Sequence, residues 1–388
     1  MTTTSFDLDQ PLNLHPITYL DEGDEVTLGR ANSDNFGVFP ADGAALLRRL
    51  EAGLTPREAQ RWYADEYGEP VDIVEFLEVV AEFDLLAAAG ERAQAPPEVR
   101  WRRLGEAVFS PVAWVVYGAV VIAALVAMFR DPALVPHFRN IFFTESLIVL
   151  QLGIFFGQMP LILFHEGFHA LAGRRLGINS TLRIGRRFYF IVFETSLDGL
   201  VSVSRRRRYL PILAGMIADV LVISALTLGA AVTDGWVAAV CRAFAFVTVL
   251  RLYWQFYFFL RTDLYYLVTT VLRCDDLQSV AGQMLRNRLY RLLGLHHRRF
   301  DETAWGERDR AVGRWYSWVL LAGYGFLVVM LAVAVIPAML VMLGIVISRF
   351  QGHPTVLNTL DSLVFLTLSI GQFVFAGVLA HRARRARR

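Results

Sequence analysis

Leu161-Ile162-Leu163-Phe164-His165-Glu166-Gly167-Phe168-His169-Ala170 is the stretch on which the reading of this chain turns. It lies inside an apolar run, 146–171, that exceeds the ~20 residues needed to span a bilayer as a helix. Two imidazoles and a carboxylate stand within that run, toward its C-terminal end. Charged groups at such depth cost on the order of a few kcal/mol each, so a membrane helix carries them for a reason. Residues four apart share one face of a helix, so His165 and His169 are spaced to chelate a single metal ion. Glu166 between them is placed to take a proton from water held by that ion.

Outward from this segment, the chain divides by solvent. Its 388 residues are 55% hydrophobic with a mean hydropathy of +0.42, above the usual range of a soluble domain. Six apolar segments are long enough to span, near 109–129, 146–171, 209–232, 236–272, 317–347 and 357–380. The fourth and fifth exceed one crossing, which predicts tilt or an interfacial extension. The expected fold is mainly α: a polytopic bundle of about six transmembrane helices carrying a small cytoplasmic winged-helix-like N-terminal domain. The expected divisions are a flexible lead (1–23), the small domain (24–90), a linker with Pro96-Pro97 (91–108) and the membrane domain (109–388).

All 38 basic residues are arginines, and they are unevenly placed. They cluster between the second and third spans (Arg174, Arg175, Arg183, Arg186, Arg187 and 205–208), after the fourth, and at the C-terminus. Only Arg130, Arg139 and Arg349 fall in the opposite loops. The positive-inside rule then puts both termini on the cytoplasmic side of a multi-pass cell-membrane protein. Residues 1–10 are polar with no apolar h-region, so the first span is expected to serve as the insertion signal. A net charge of +2, with basic clusters that flank apolar runs, points to the lipid bilayer as a partner and not to nucleic acid. Cys241 and Cys274 lack CxxC partners and are read as small apolar residues.

A catalytic zinc needs a third protein ligand and a position for water. Asp263, in Arg261-Thr262-Asp263-Leu264, is the best candidate. It lies about ten residues, or ~15 Å, from the Arg273 boundary, while His169 lies ~8 Å from Arg174 with His165 a turn deeper. Both spans run toward the cytoplasm, so the three side chains share a depth. Its rivals are Asp219 on the third span and Glu194 or Asp198 in a hairpin read over 187–203. Asp219 better suits a polar contact inside the bundle, with Arg251 as its partner. Arg242 and Arg251 read as paired or snorkelling side chains, and His296-His297 as part of a solvated or lipid-facing basic loop.

The N-terminal region reads as two short strands (Val26–Gly29 and Phe36–Pro40) around the turn Asn32-Ser33-Asp34-Asn35. Asp42 is read as a helix cap, Thr55-Pro56-Arg57-Glu58 as a capping box, and a third helix begins near Val71. Phe39-Pro40-Ala41-Asp42-Gly43-Ala44, Leu50-Glu51-Ala52-Gly53, Tyr67-Gly68 and Glu82-Phe83-Asp84-Leu85-Leu86 resemble the PqqD-like peptide-recognition domain. That resemblance implies leader-peptide binding by strand addition at the hairpin edge.

The HExxH helix with a distant membrane Asp resembles the site-2 protease family, and within it a bacterial branch of peptide zinc metalloproteases. Arg174-Arg175-Leu176-Gly177 and Leu213-Ala214-Gly215 match as well, over about 151–274. The family's second motif, NxxPxxxLDG, keeps its Asp at Asp263 but has Gln255, Phe258, Thr262 and Leu264 where Asn, Pro, Leu and Gly would stand. The resemblance implies Zn²⁺ on His165, His169 and Asp263, with Glu166 as general base. Gln255 is then a candidate hydrogen bonder of substrate backbone, and the hairpin an edge for an unwound segment. The implied activity is intramembrane hydrolysis of a peptide precursor or membrane-tethered protein. The alternative is a non-catalytic peptide-binding membrane protein serving export or immunity.

Overall fold

Ile17-Thr18-Tyr19-Leu20 opens the first strand of the N-terminal sheet. The computed structural model describes residues 6–22, 25–30, 36–87, 99–187, 190–196, 198–274, 276–330, 332, 336, 340, 343–344, 347–348 and 356–385. Strand β1 (Ile17–Glu22) pairs antiparallel with β2 (Glu25–Arg30), Tyr19 facing Leu28, and β2 pairs with β3 (Phe36–Pro40), Leu28 facing Gly37. The region read as a flexible lead therefore ends in a strand. Its polar residues concealed a period of two that is satisfied only by the partner strand. Ala93–Glu98 of the expected linker and the turn Asn32–Asn35 lie outside the described residues.

Helices α1 (Ala41–Glu51), α2 (Pro56–Tyr67) and α3 (Ile73–Glu82) follow. They close a core in which Leu28, Leu46, Leu47, Leu50, Leu77 and Val80 are fully buried. Thr55 makes the expected capping box: its hydroxyl accepts the Glu58 N–H and the Glu58 carboxylate accepts the Thr55 N–H. Asp42 departs from its expected role as a cap. Pro40 precedes the helix, and Asp42 sits in the first turn, accepting from the Tyr63 hydroxyl and the Gly43 N–H. The Tyr63 hydrogen bond holds the Asp42 carboxyl below the usual carboxylate range.

The same compact unit, Met1–Val108 with Ala170–Thr181 and Thr195–Arg208, includes the short helix α4 (Arg102–Val108). At Gly105 a Cβ would lie 2.4 Å from the Leu171 carbonyl oxygen, so only glycine allows that backbone contact.

The second unit holds Phe109–His169, Leu182–Glu194 and Tyr209–Arg388. Among the described residues, five helices are long and apolar enough to cross a membrane. They are α5 (Pro111–Arg130), α6 (Leu147–Arg175), α7 (Arg205–Val232), α8 (Gly235–Trp254) and α11 (Glu307–Met330). Most of 331–347, the rest of the expected fifth span, lies outside the described residues. The sixth segment forms α12 (Val356–Arg385), with an apolar stretch at Thr359–Leu368. Strands β4 (Thr181–Arg187) and β5 (Phe190–Ser196) form a two-stranded sheet that starts earlier than the hairpin read over 187–203, whose expected turn and second strand fall instead on a 3-10 helix, Asp198–Ser202.

The fourth segment is not the single helix that hydropathy suggests. Helix α8 stops at Trp254, a 3-10 turn covers Phe258–Leu260, Arg261 takes the left-handed conformation (φ 56°), and α9 (Asp263–Leu272) starts afresh. The amphipathic helix α10 (Leu277–Leu292) then packs against α11. Irregular backbone inside a bundle is tolerated where side chains satisfy its polar groups. Here Thr262 Oγ1 donates to the Gln255 carbonyl (2.6 Å), the Tyr316 hydroxyl to the Phe258 carbonyl (3.2 Å), and Gln278 Nε2 to the Phe259 carbonyl (2.8 Å).

One cap joins distant parts of this unit. Asp361 on α12 accepts from Ser146 Oγ (2.6 Å), Leu147 N–H (2.9 Å) and Ile148 N–H (3.1 Å), closing the N-terminus of α6. A carboxylate there satisfies orphan donors and complements the helix dipole. Asp361→Ala is expected to cost ~1–3 kcal/mol. The check is hydrogen exchange at residues 147–149, which should speed up; unchanged protection would mean that the cap adds nothing.

Candidate metal centre

Helix α6 carries His165 and His169 on one face, one turn apart, and both are buried. Helix α9 supplies Asp263 at its first position, where the break in the fourth segment turns the chain back into helix. The three side chains meet. His165 Nε2 and His169 Nε2 are 3.2 Å apart, and Asp263 Oδ2 lies 3.3 Å from the first and 3.2 Å from the second. Four ligands around a tetrahedral ion with bonds of 2.0–2.1 Å stand ~3.3 Å from one another. The triangle thus has the edge that one such ion requires, and among the described residues no fourth His, Cys, Asp or Glu joins the group.

Contacts behind the imidazoles orient the rings, and for His169 a hydrogen bond sets the tautomer. His169 Nδ1 is 2.7 Å from the Pro211 carbonyl of α7. A carbonyl only accepts, so Nδ1 carries the proton and Nε2 turns its lone pair toward Asp263. His165 Nδ1 lies 3.1 Å from Asp219 Oδ2, approached at an angle off the ring N–H direction, so this contact is more ionic than a straight hydrogen bond. Asp219, fully buried on α7, is in turn held from both sides of its carboxylate by Arg251 of α8. Nε donates to Oδ2 (3.2 Å) and Nη2 to Oδ1. Asp219 therefore takes the bundle contact expected of it, with the expected partner, and also orients a candidate ligand. Glu194 and Asp198 have side chains outside the described residues.

Glu166 follows His165 on α6 and is buried.

Gln255 sits at the break. Its side-chain carbonyl accepts the Asp263 N–H (3.0 Å), so that end of the carboxamide positions the candidate ligand. The resemblance makes Gln255 a candidate bonder of substrate backbone, and in the structure its side-chain oxygen is used within the loop.

Gly215 is the residue that the sequence reading did not place in the centre, although it closes the Leu213-Ala214-Gly215 match. A Cβ there would lie 2.3 Å from both His165 Nε2 and His169 Nε2. Helix α7 thus presents bare backbone to the two ring nitrogens, leaving the space that an ion and its water need. The arrangement offers two imidazole nitrogens, one carboxylate oxygen and a buried carboxylate next in sequence to a ligand.

No protein-family model, curated protein or solved structure matches this chain.

Proposed function

We propose that this protein is an intramembrane zinc metalloprotease that hydrolyses a peptide bond in a peptide precursor or a membrane-tethered protein. The observation that carries the reading is the triangle of His165 Nε2, His169 Nε2 and Asp263 Oδ2 at 3.2–3.3 Å, built from two helices inside an apolar bundle. Two His and one carboxylate with a vertex open to water is the donor set of catalytic zinc, whereas structural zinc sites fill all four positions. When bound, zinc supplies Lewis acidity toward water and toward the scissile carbonyl.

The chain's own groups do the rest. Asp219 and the Pro211 carbonyl hold the two rings with their lone pairs inward, and Gln255 holds Asp263 through its backbone. Glu166 acts as general base on the attacking water and returns the proton to the leaving amine. The apolar surroundings strengthen each of these electrostatic interactions. In this reading both termini are cytoplasmic, and the centre, near the C-terminal end of α6, takes water from that side.

The test is metal analysis of the purified full chain beside a cleavage assay in membranes. Close to one zinc per chain is expected, and Asp263→Ala should lower zinc affinity by at least about tenfold and abolish cleavage. A chain that cleaves its substrate free of metal would remove the reading.

A further inference from the structure

At the opposite end of α7 from the candidate metal centre, a cavity opens among the ends of α5, α7 and α8. The fifteen residues from Gly215 to Ala230 separate the two by ~22 Å of helix rise. The cavity measures about 610 Å³, inside the ~300–1,000 Å³ typical of small-ligand sites. Small side chains such as Ala127 and Ala231 make the room, and four charged residues line it: Arg130, Asp131, Asp234 and Arg242.

These charges do not neutralise one another. Neither Arg130 nor Arg242 makes a hydrogen bond or ion pair with any described residue. Asp131 accepts the Ala133 N–H (3.0 Å), and Asp234 precedes α8 without a side-chain capping bond. Arg242 is partly buried on α8 about two turns from the helix start, or ~10 Å of rise. An unpaired guanidinium at that depth in an apolar helix is unfavourable, and Arg251 on the same helix shows the paired alternative. Two guanidiniums sharing one cavity present rigid donor forks suited to phosphate. Two carboxylates in the same lining suit a primary amine and disfavour a ligand that brings only negative charge.

We propose that this cavity seats the headgroup of one zwitterionic phospholipid. Its phosphate diester sits between Arg130 and Arg242, and its primary amine lies against Asp234 and Asp131. The mouth lies where helix ends meet the headgroup layer, so the acyl chains stay in the bilayer. The site is separate from the metal centre, and its occupancy is independent of zinc.

The test is native mass spectrometry of the delipidated full-length protein in detergent, titrated with phosphatidylethanolamine. Wild type is expected to bind one copy, and Arg130→Gln with Arg242→Gln to weaken it by about tenfold or more. Asp234→Asn should erase the preference over phosphatidylcholine, whose quaternary ammonium cannot donate. Ala127→Phe keeps every charge but fills the cavity, and should block binding even if the arginine variants fold poorly. Wild-type lipid retention by both the double variant and Ala127→Phe would overturn the proposal. Stronger binding of phosphatidylglycerol would overturn it too. Displacement of the lipid by millimolar inorganic phosphate would assign the cavity to a free phosphate instead, and so overturn the lipid.

Discussion

Glu166→Gln is expected to keep zinc near one per chain while lowering peptide cleavage by about a thousandfold. The exchange is nearly isosteric. It changes none of the ligand atoms, whose triangle is built from His165, His169 and Asp263. It also leaves intact the Pro211 and Asp219 contacts behind the two rings. What it removes is proton affinity: a carboxamide oxygen cannot take a proton from water at neutral pH or carry it to the leaving amine. Metal content and activity should therefore separate in this variant and fall together in Asp263→Ala. The same variant discriminates the competing role. A peptide-binding membrane protein would keep its full biological function in Glu166→Gln, because binding needs no general base. Normal cleavage by the zinc-loaded variant would remove Glu166 from the chemistry altogether.

The parts of the fold legible in the sequence were those governed by local rules. The HExxH spacing needs only the pitch of a helix, and the Thr55–Glu58 box needs only four consecutive residues. The Asp219–Arg251 pairing follows from a simple constraint, since a carboxylate and a guanidinium buried on neighbouring spans have little choice but each other. Asp263 was reached by depth along two helices, and the structure places it beside the histidines. The geometry that brings it there is different, however, because the fourth segment breaks eight residues before it.

That break was invisible for a physical reason. Gln255-Phe256-Tyr257-Phe258-Phe259-Leu260 is as apolar as the helix it interrupts, so a hydropathy window passes over it. Its stability depends on Tyr316 and Gln278, more than fifteen residues away, which take up the freed carbonyls. Asp361 capping α6 is hidden in the same way, being over two hundred residues from the amides it satisfies. Strand β1 was missed because its pattern is weak without β2 beside it. In each case the deciding partner is distant in sequence, and one chain read alone cannot name it.

Gly215→Ala is expected to lower zinc affinity by at least about tenfold, although position 215 lies outside both ligand motifs. In an ordinary helix interior this exchange stabilises by ~1 kcal/mol, because alanine loses less backbone entropy than glycine. At position 215 the new methyl would sit 2.3 Å from two ring nitrogens and 2.5 Å from His165 Cε1. Neither ring can step aside, since His169 is tied to Pro211 and His165 faces the Arg251-clamped Asp219. Relief must come from moving α7 or turning the imidazoles, and either opens the triangle. Gly167→Ala is the control. It alters the HExxH segment itself, but a Cβ at 167 meets no heavy atom within 4 Å. Its zinc content should match wild type, with thermal stability unchanged or slightly raised. The expected order therefore inverts what motif membership alone would suggest. Zinc per chain and thermal midpoint, measured on the two variants side by side, decide it. If Gly215→Ala binds zinc like wild type, α7 does not seat its backbone against the imidazoles, and the metal centre is not closed in the way these contacts require.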